Sequence, residues 1–62
     1  MRIRLRKLRE EARLTQNELA IKIGAQNTQV SKWELGEAKP NLDHAIALAD
    51  ALDVSLDELV GR

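Results

Sequence analysis

The segment from Thr15 to Gly36 constrains the fold more than any other part of the chain. Thr15 is followed three residues later by Glu18, a capping box in which a hydroxyl and a carboxylate satisfy free N–H groups at a helix start. Leu14 before the box and Leu19 after it stand at the positions of a hydrophobic staple. The helix so begun runs through Leu19, Ala20 and Ile23 and stops at Gly24, which can take the left-handed conformation that ends a helix cheaply. Ala25 and Gln26 lead into a second short helix from about Asn27 to Leu35, stopped by Gly36. Neither helix is long enough to persist in water alone. Each must therefore be held by packing against other helices.

The flanking segments supply those helices. Leu5, Leu8 and Ala12 recur at helical spacing and predict a first helix over about Arg2 to Arg13. Pro40 and Asn41 mark a loop and a cap, after which Leu42, Ala45, Ile46, Ala49 and Leu52 predict an apolar stripe on a helix from Leu42 to Leu52. Ser55 with Glu58 forms a second capping box, and Val54 with Leu59 a second staple, so a last helix is expected from Leu56 to about Val60. No convincing strand is legible. The expected fold is all-α: a compact domain of four to five helices.

The 62 residues suit one domain spanning 1–62. So small a domain has a thin margin of stability and usually needs a staple, idealised packing or a partner. There is no Cys and only one His, so neither disulfides nor a zinc cluster is expected. Packing or a partner must supply the stability. No apolar run reaches the roughly 20 residues of a membrane span. Met1-Arg2-Ile3-Arg4 carries charge without the apolar stretch of a secretory signal, so a cytoplasmic location is the default expectation. The net charge is zero but unevenly placed. Residues 1–13 carry six basic and two acidic groups, while residues 42–62 carry one basic and five acidic. A neutral whole does not by itself point to nucleic acid, as a strongly basic one would.

Two short helices joined by a tight, glycine-containing turn are what a helix-turn-helix over about residues 15–35 requires. Ala20 must be small where the helices cross, and Val30 and Trp33 must be apolar to fix the second helix on the first. The remaining face of that helix is polar and can enter a major groove. The chain resembles the lambda-repressor and Cro-like helix-turn-helix family, also called the xenobiotic-response-element type. The resemblance runs from about Leu5 to Leu59. Its segments are Leu5-Arg6-Lys7-Leu8-Arg9-Glu10, Leu14-Thr15-Gln16-Asn17-Glu18-Leu19-Ala20 and Val30-Ser31-Lys32-Trp33-Glu34-Leu35-Gly36. Pro40 follows at family-like spacing, and Leu48 to Leu59 closes the match.

The resemblance implies a five-helix domain whose third helix reads bases in double-stranded DNA. It places Asn27, Thr28 and Lys32 at base-contacting positions. Gln16, Gln26, Gln29 and Lys39 fall at phosphate-contacting ones. The chemistry agrees: Lys donates to guanine O6 and N7, Asn pairs with adenine N6 and N7, and Thr contacts a thymine methyl or a polar edge. Arg9 and Glu34 match an ion pair between the first and third helices, although residue type alone also permits two solvated charges. The arginines of the first helix are equally readable as a phosphate stripe or as a solvated face. Family members usually act as homodimers on DNA, with Val54, Leu56 and Val60 as the expected dimer surface and Leu59 either there or in the core.

Three departures stand out. Gln26 occupies a cap often held by Ser or Thr, with Asn27 as a rival cap. Leu35 stands where a basic or amide residue is common, and Glu37 where a basic one is. The expected function is a sequence-specific DNA-binding regulator of transcription, a repressor. The alternative is an antitoxin that binds a toxin and represses its own promoter. A third reading, motivated by Leu35 and Glu37, is an interaction module without DNA binding. No nucleophile–base constellation or glycine-rich phosphate loop is present, so neither an enzyme nor a cofactor is expected. Trp33 is read as core rather than as a base-stacking residue, and His44 as a surface or capping residue rather than a ligand or pH switch.

Overall fold

The computed structural model describes residues 4–61. The helices are α1 (Leu5–Glu11), α2 (Gln16–Ile23), α3 (Asn27–Leu35), α4 (Leu42–Leu52) and α5 (Leu56–Val60), with no strand among the described residues. Each helix gives at least one side chain to a single core: Leu5, Leu19, Ala20, Val30, Trp33, Leu48, Leu52 and Leu59. Burying a side chain of the Leu or Val type contributes roughly 1.5–3 kcal/mol. Five helices of one to three turns thus hold one another in place through a shared apolar centre.

The starts of α2, α3, α4 and α5 follow the sequence closely, whereas α1 begins at Leu5 with Arg4 as its cap residue. Thr15 Oγ1 accepts from the Glu18 N–H at 3.0 Å, and the Thr15 N–H donates to the Glu18 carboxylate at 2.8 Å. Ser55 and Glu58 form the second box, and Asn41 Oδ1 accepts from the His44 N–H at 2.8 Å. Gln26, not Asn27, is the cap residue of α3, and its N–H donates to Gln29 Oε1 at 2.9 Å.

The helix ends share one device. After α2, the Ala25 N–H reaches the Ala20 carbonyl and the Gly24 N–H the Ile21 carbonyl, with Gly24 left-handed at φ 72°. This paired reversal satisfies carbonyls that the last turn would leave open. The same pattern closes α3 at Gly36. It also closes α1 and α4, where the left-handed residues are Arg13 (φ 60°) and Asp53 (φ 57°) rather than glycine. Arg13 therefore lies outside the first helix, which stops at Glu11. Ala12 is exposed instead of completing the face begun by Leu5 and Leu8. The expected start at Arg2 lies outside the described residues.

One stripe is rotated from its expected position. On α4 the inward residues are Ala45, Leu48, Ala49 and Leu52, whereas Leu42 and Ile46 are 69% and 44% exposed. Both sets satisfy the helical period, and packing of α4 against α2 and α5 selects the one containing Leu48. The start of the described chain is tied to its end: the Arg4 N–H donates to the Leu59 carbonyl at 2.8 Å.

Candidate functional site

The face of α3 turned away from the core is fixed by Val30 and Trp33, which are both buried. At 3.6 residues per turn the opposite stripe passes through Thr28, Lys32 and Leu35. Those three residues and Asn27 are exposed, while Gln29, Ser31 and Glu34 on the flanks are half-buried. The helix thus presents hydrogen-bonding side chains of three kinds at its start and middle and one aliphatic side chain at its end. Leu35 is 62% exposed. Such a rigid, protruding polar face suits the width of a major groove.

The predicted residues divide by position. Thr28 and Lys32 lie on the protruding face, and Asn27 is exposed beside it as the first residue of α3. Gln26 is exposed at the cap, and Lys39 is exposed in the loop between α3 and α4. Gln29 is half-buried, with its carbonyl oxygen holding the Gln26 N–H. Gln16 is the first residue of α2 and half-buried, and its amide donates to Glu34 Oε1 at 2.9 Å. Val54 packs on the core, Val60 is half-buried, and Leu56 is exposed.

Glu34 is the centre of a polar junction. The Arg9 Nε and Nη2 donate to its two oxygens, and Arg9 Nη1 donates to the Leu14 carbonyl at 2.8 Å. The Glu34 and Arg9 side chains are only 5% and 12% exposed. Hydrogen bonding to Glu34 is the main cause raising the Arg9 guanidinium above its ordinary range; burial opposes the rise, and the charges of Glu34 and Glu10 add to it. The junction joins α1 to α3 and fixes the residue before the α2 cap. The family resemblance implied the pair, but not its links to Leu14 and Gln16, which depend on how three helices meet.

An open cleft adjoins this junction, lined by Arg6, Arg9, Gln16, Ser31, Glu34 and Leu35. Sequence reasoning gave no role to Ser31 and left Arg6 undecided. On the far side of α3, the Trp33 ring meets His44 at a centroid distance of 5.1 Å and a tilt of 50°. Trp33 is therefore a core residue, and His44 packs on it from the first turn of α4.

A capped helix, a left-handed glycine turn and a second helix with a protruding polar face define a helix-turn-helix domain. The family described as Helix-turn-helix matches residues 5–59, and this chain belongs to it, in the Cro/C1-type group. The chain is 41% identical over 59 residues to the cryptic phage CTXphi transcriptional repressor RstR of Vibrio cholerae, covering 95% of this chain and 53% of that protein. The P22 c2 repressor of Salmonella phage P22, solved in complex with a synthetic operator, superimposes with a TM-score of 0.88 at 35% identity, over 92% of this chain and 86% of that one. The restriction-modification controller protein C.AhdI from Aeromonas hydrophila gives a TM-score of 0.85 at 38% identity, over 90% and 85% of the two chains. This chain spans about half, or less, of the length of the curated relatives it matches.

Proposed function

We propose that this chain binds specific sequences of duplex DNA and represses transcription, laying α3 in the major groove. The observation that carries the reading is the protruding face of α3, with Thr28 and Lys32 exposed opposite Val30 and Trp33 and Asn27 exposed beside them at the start of the helix. In a helix-turn-helix the start of the second helix reaches base edges. Asn27, Thr28 and Lys32 are assigned to the bases, and Gln16, Gln26, Gln29 and Lys39 to the phosphates. A relative with the same fold, the P22 c2 repressor, was solved on operator DNA, and RstR is named a transcriptional repressor. These likenesses support the reading.

A homodimer on a palindromic site is part of the proposal, with Leu56 at the centre of the contact and Val54 and Val60 beside it. Half-sites would lie about 10 bp apart, or a multiple of that. No helix among the described residues is long and apolar enough to cross a membrane. We assign the chain no catalytic role and place it in the cytoplasm, where it would meet DNA. The antitoxin reading gains no support from the relatives reported above, which are named as repressors or a controller protein.

The test is selection of binding sites from a random duplex library at two salt concentrations. Recovery of a palindromic motif is expected. Salt-sensitive retention without any enriched motif would reduce the role to phosphate contact. No retention at low salt would overturn DNA binding altogether.

A further inference from the structure

We propose that Leu35 is a further specificity residue of α3 and reads the C5-methyl group of a thymine in each half-site. The inference rests on the DNA-binding reading above and deepens it, naming another residue and the chemical group it meets. The large aliphatic side chains exposed among the described residues are Ile21, Leu35, Leu42, Ile46 and Leu56, and of these only Leu35 stands on α3. At about 100° per residue, Leu35 lies almost diametrically opposite the mean direction of Val30 and Trp33. It therefore occupies the centre of the face that would enter the groove. Leu35 follows Lys32 by three residues and Thr28 by seven, which sets it about 4.5 Å and about 10.5 Å further along the helix axis. Base pairs follow one another at about 3.4 Å, so the stripe from Thr28 to Leu35 spans about three base-pair steps.

The chemistry of that position selects its partner. An aliphatic side chain neither donates nor accepts hydrogen bonds, so it gains nothing from a phosphate or from a polar base edge. Glu37, exposed just beyond it, offers a phosphate no donor either. Among the groups that base edges present in the major groove, the apolar one is the thymine C5-methyl. Helical side chains lean toward the helix N-terminus, which carries Leu35 over the turn holding Ser31 and Lys32 and toward the bases assigned to Lys32. Leu35 and Ser31 line the same cleft, in keeping with that lean. A thymine methyl against Leu35 takes two apolar surfaces out of water together. A cytosine in its place presents a bare C5–H and leaves the leucine without that contact.

Removing the methyl alone tests the inference. The probe is a duplex carrying the motif that wild type selects from a random library, with thymidine replaced by deoxyuridine at one position at a time in one half-site. Deoxyuridine keeps every hydrogen-bonding group of thymidine and lacks only the methyl. Wild type, Leu35→Ala and Ile21→Ala are titrated against each duplex. Leu35 and Ile21 are 62% and 72% exposed, so neither truncation opens the core, and Ile21 lies on α2, outside the α3 face. One thymine is expected within about two base pairs of the position that Lys32→Ala relaxes. Deoxyuridine there should weaken wild type and Ile21→Ala by about fourfold, the effect of one methyl group left in water, and should leave Leu35→Ala unchanged. A motif without that thymine, or a deoxyuridine effect equal in wild type and Leu35→Ala at every position, would overturn the role of Leu35 while leaving base reading by Thr28 and Lys32 intact. Retention without any enriched motif, or no retention at low salt, would overturn sequence-specific DNA binding and this inference with it.

Discussion

Gly24 and Arg13 occupy equivalent places in two helix ends, and their substitutions should act in opposite directions. A non-glycine residue in the left-handed region costs roughly 1–2 kcal/mol. Replacing glycine by alanine returns about 0.4–1 kcal/mol by restricting the unfolded chain. A Cβ at Gly24 meets nothing within 4 Å, so conformation alone decides the outcome. Gly24→Ala should destabilise the fold by about 1 kcal/mol, and Arg13→Gly should leave it unchanged or stabilise it by up to about 1 kcal/mol. Urea unfolding followed by Trp33 fluorescence measures both, and the same sign for the two would contradict the account. Sequence showed the first position and hid the second: Gly24 announces a left-handed turn, whereas Arg13 adopts one because Leu14 must fold back onto the core.

Among the elements, α1 and α3 depend on the junction at Glu34. Removing one member of a buried pair leaves the other without compensation and costs about 3–5 kcal/mol, whereas replacing both by apolar residues is often close to neutral. Glu34→Ala should therefore cost about 3 kcal/mol, and Arg9→Met combined with Glu34→Met much less. A double variant as unstable as the single one would contradict this. The folded-state pKa of Arg9 is raised, chiefly by its hydrogen bonds to the Glu34 carboxylate, so on the alkaline side the stabilisation linked to its charge is lost only as pH climbs through that raised value. Arg9 therefore adds no pH dependence to stability near neutrality. The capping boxes at Thr15 and Ser55 made α2 and α5 legible to the residue, because a cap is a local device. The inward side of α4 was not legible in the same way. Its apolar residues, Leu42, Ala45, Ile46, Leu48, Ala49 and Leu52, support two helical stripes, and contacts distant in sequence choose between them.

For the whole molecule, the proposed function depends on two surfaces that one core supports: the α3 face and the α5 end. Leu56 is 40% exposed, so Leu56→Glu should fold normally yet weaken operator binding by disrupting the proposed dimer. Equilibrium sedimentation with DNA checks it, and a strict monomer in wild type would contradict the dimer. The residues proposed for bases and phosphates could be nominated from sequence because the chain resembles the Cro-like family from Leu5 to Leu59, and the resemblance carries those roles onto these positions. The cleft could not, since Arg6, Gln16 and Ser31 are brought together only by the meeting of three helices. The central claim is that α3 reads bases, and comparing motifs selected from a random duplex library by wild type and by Lys32→Ala tests it most directly. The account predicts relaxed preference at one position in each half-site, with about 1–3 kcal/mol of discrimination lost there and the rest of the motif intact. An identical motif selected with undiminished discrimination would contradict it.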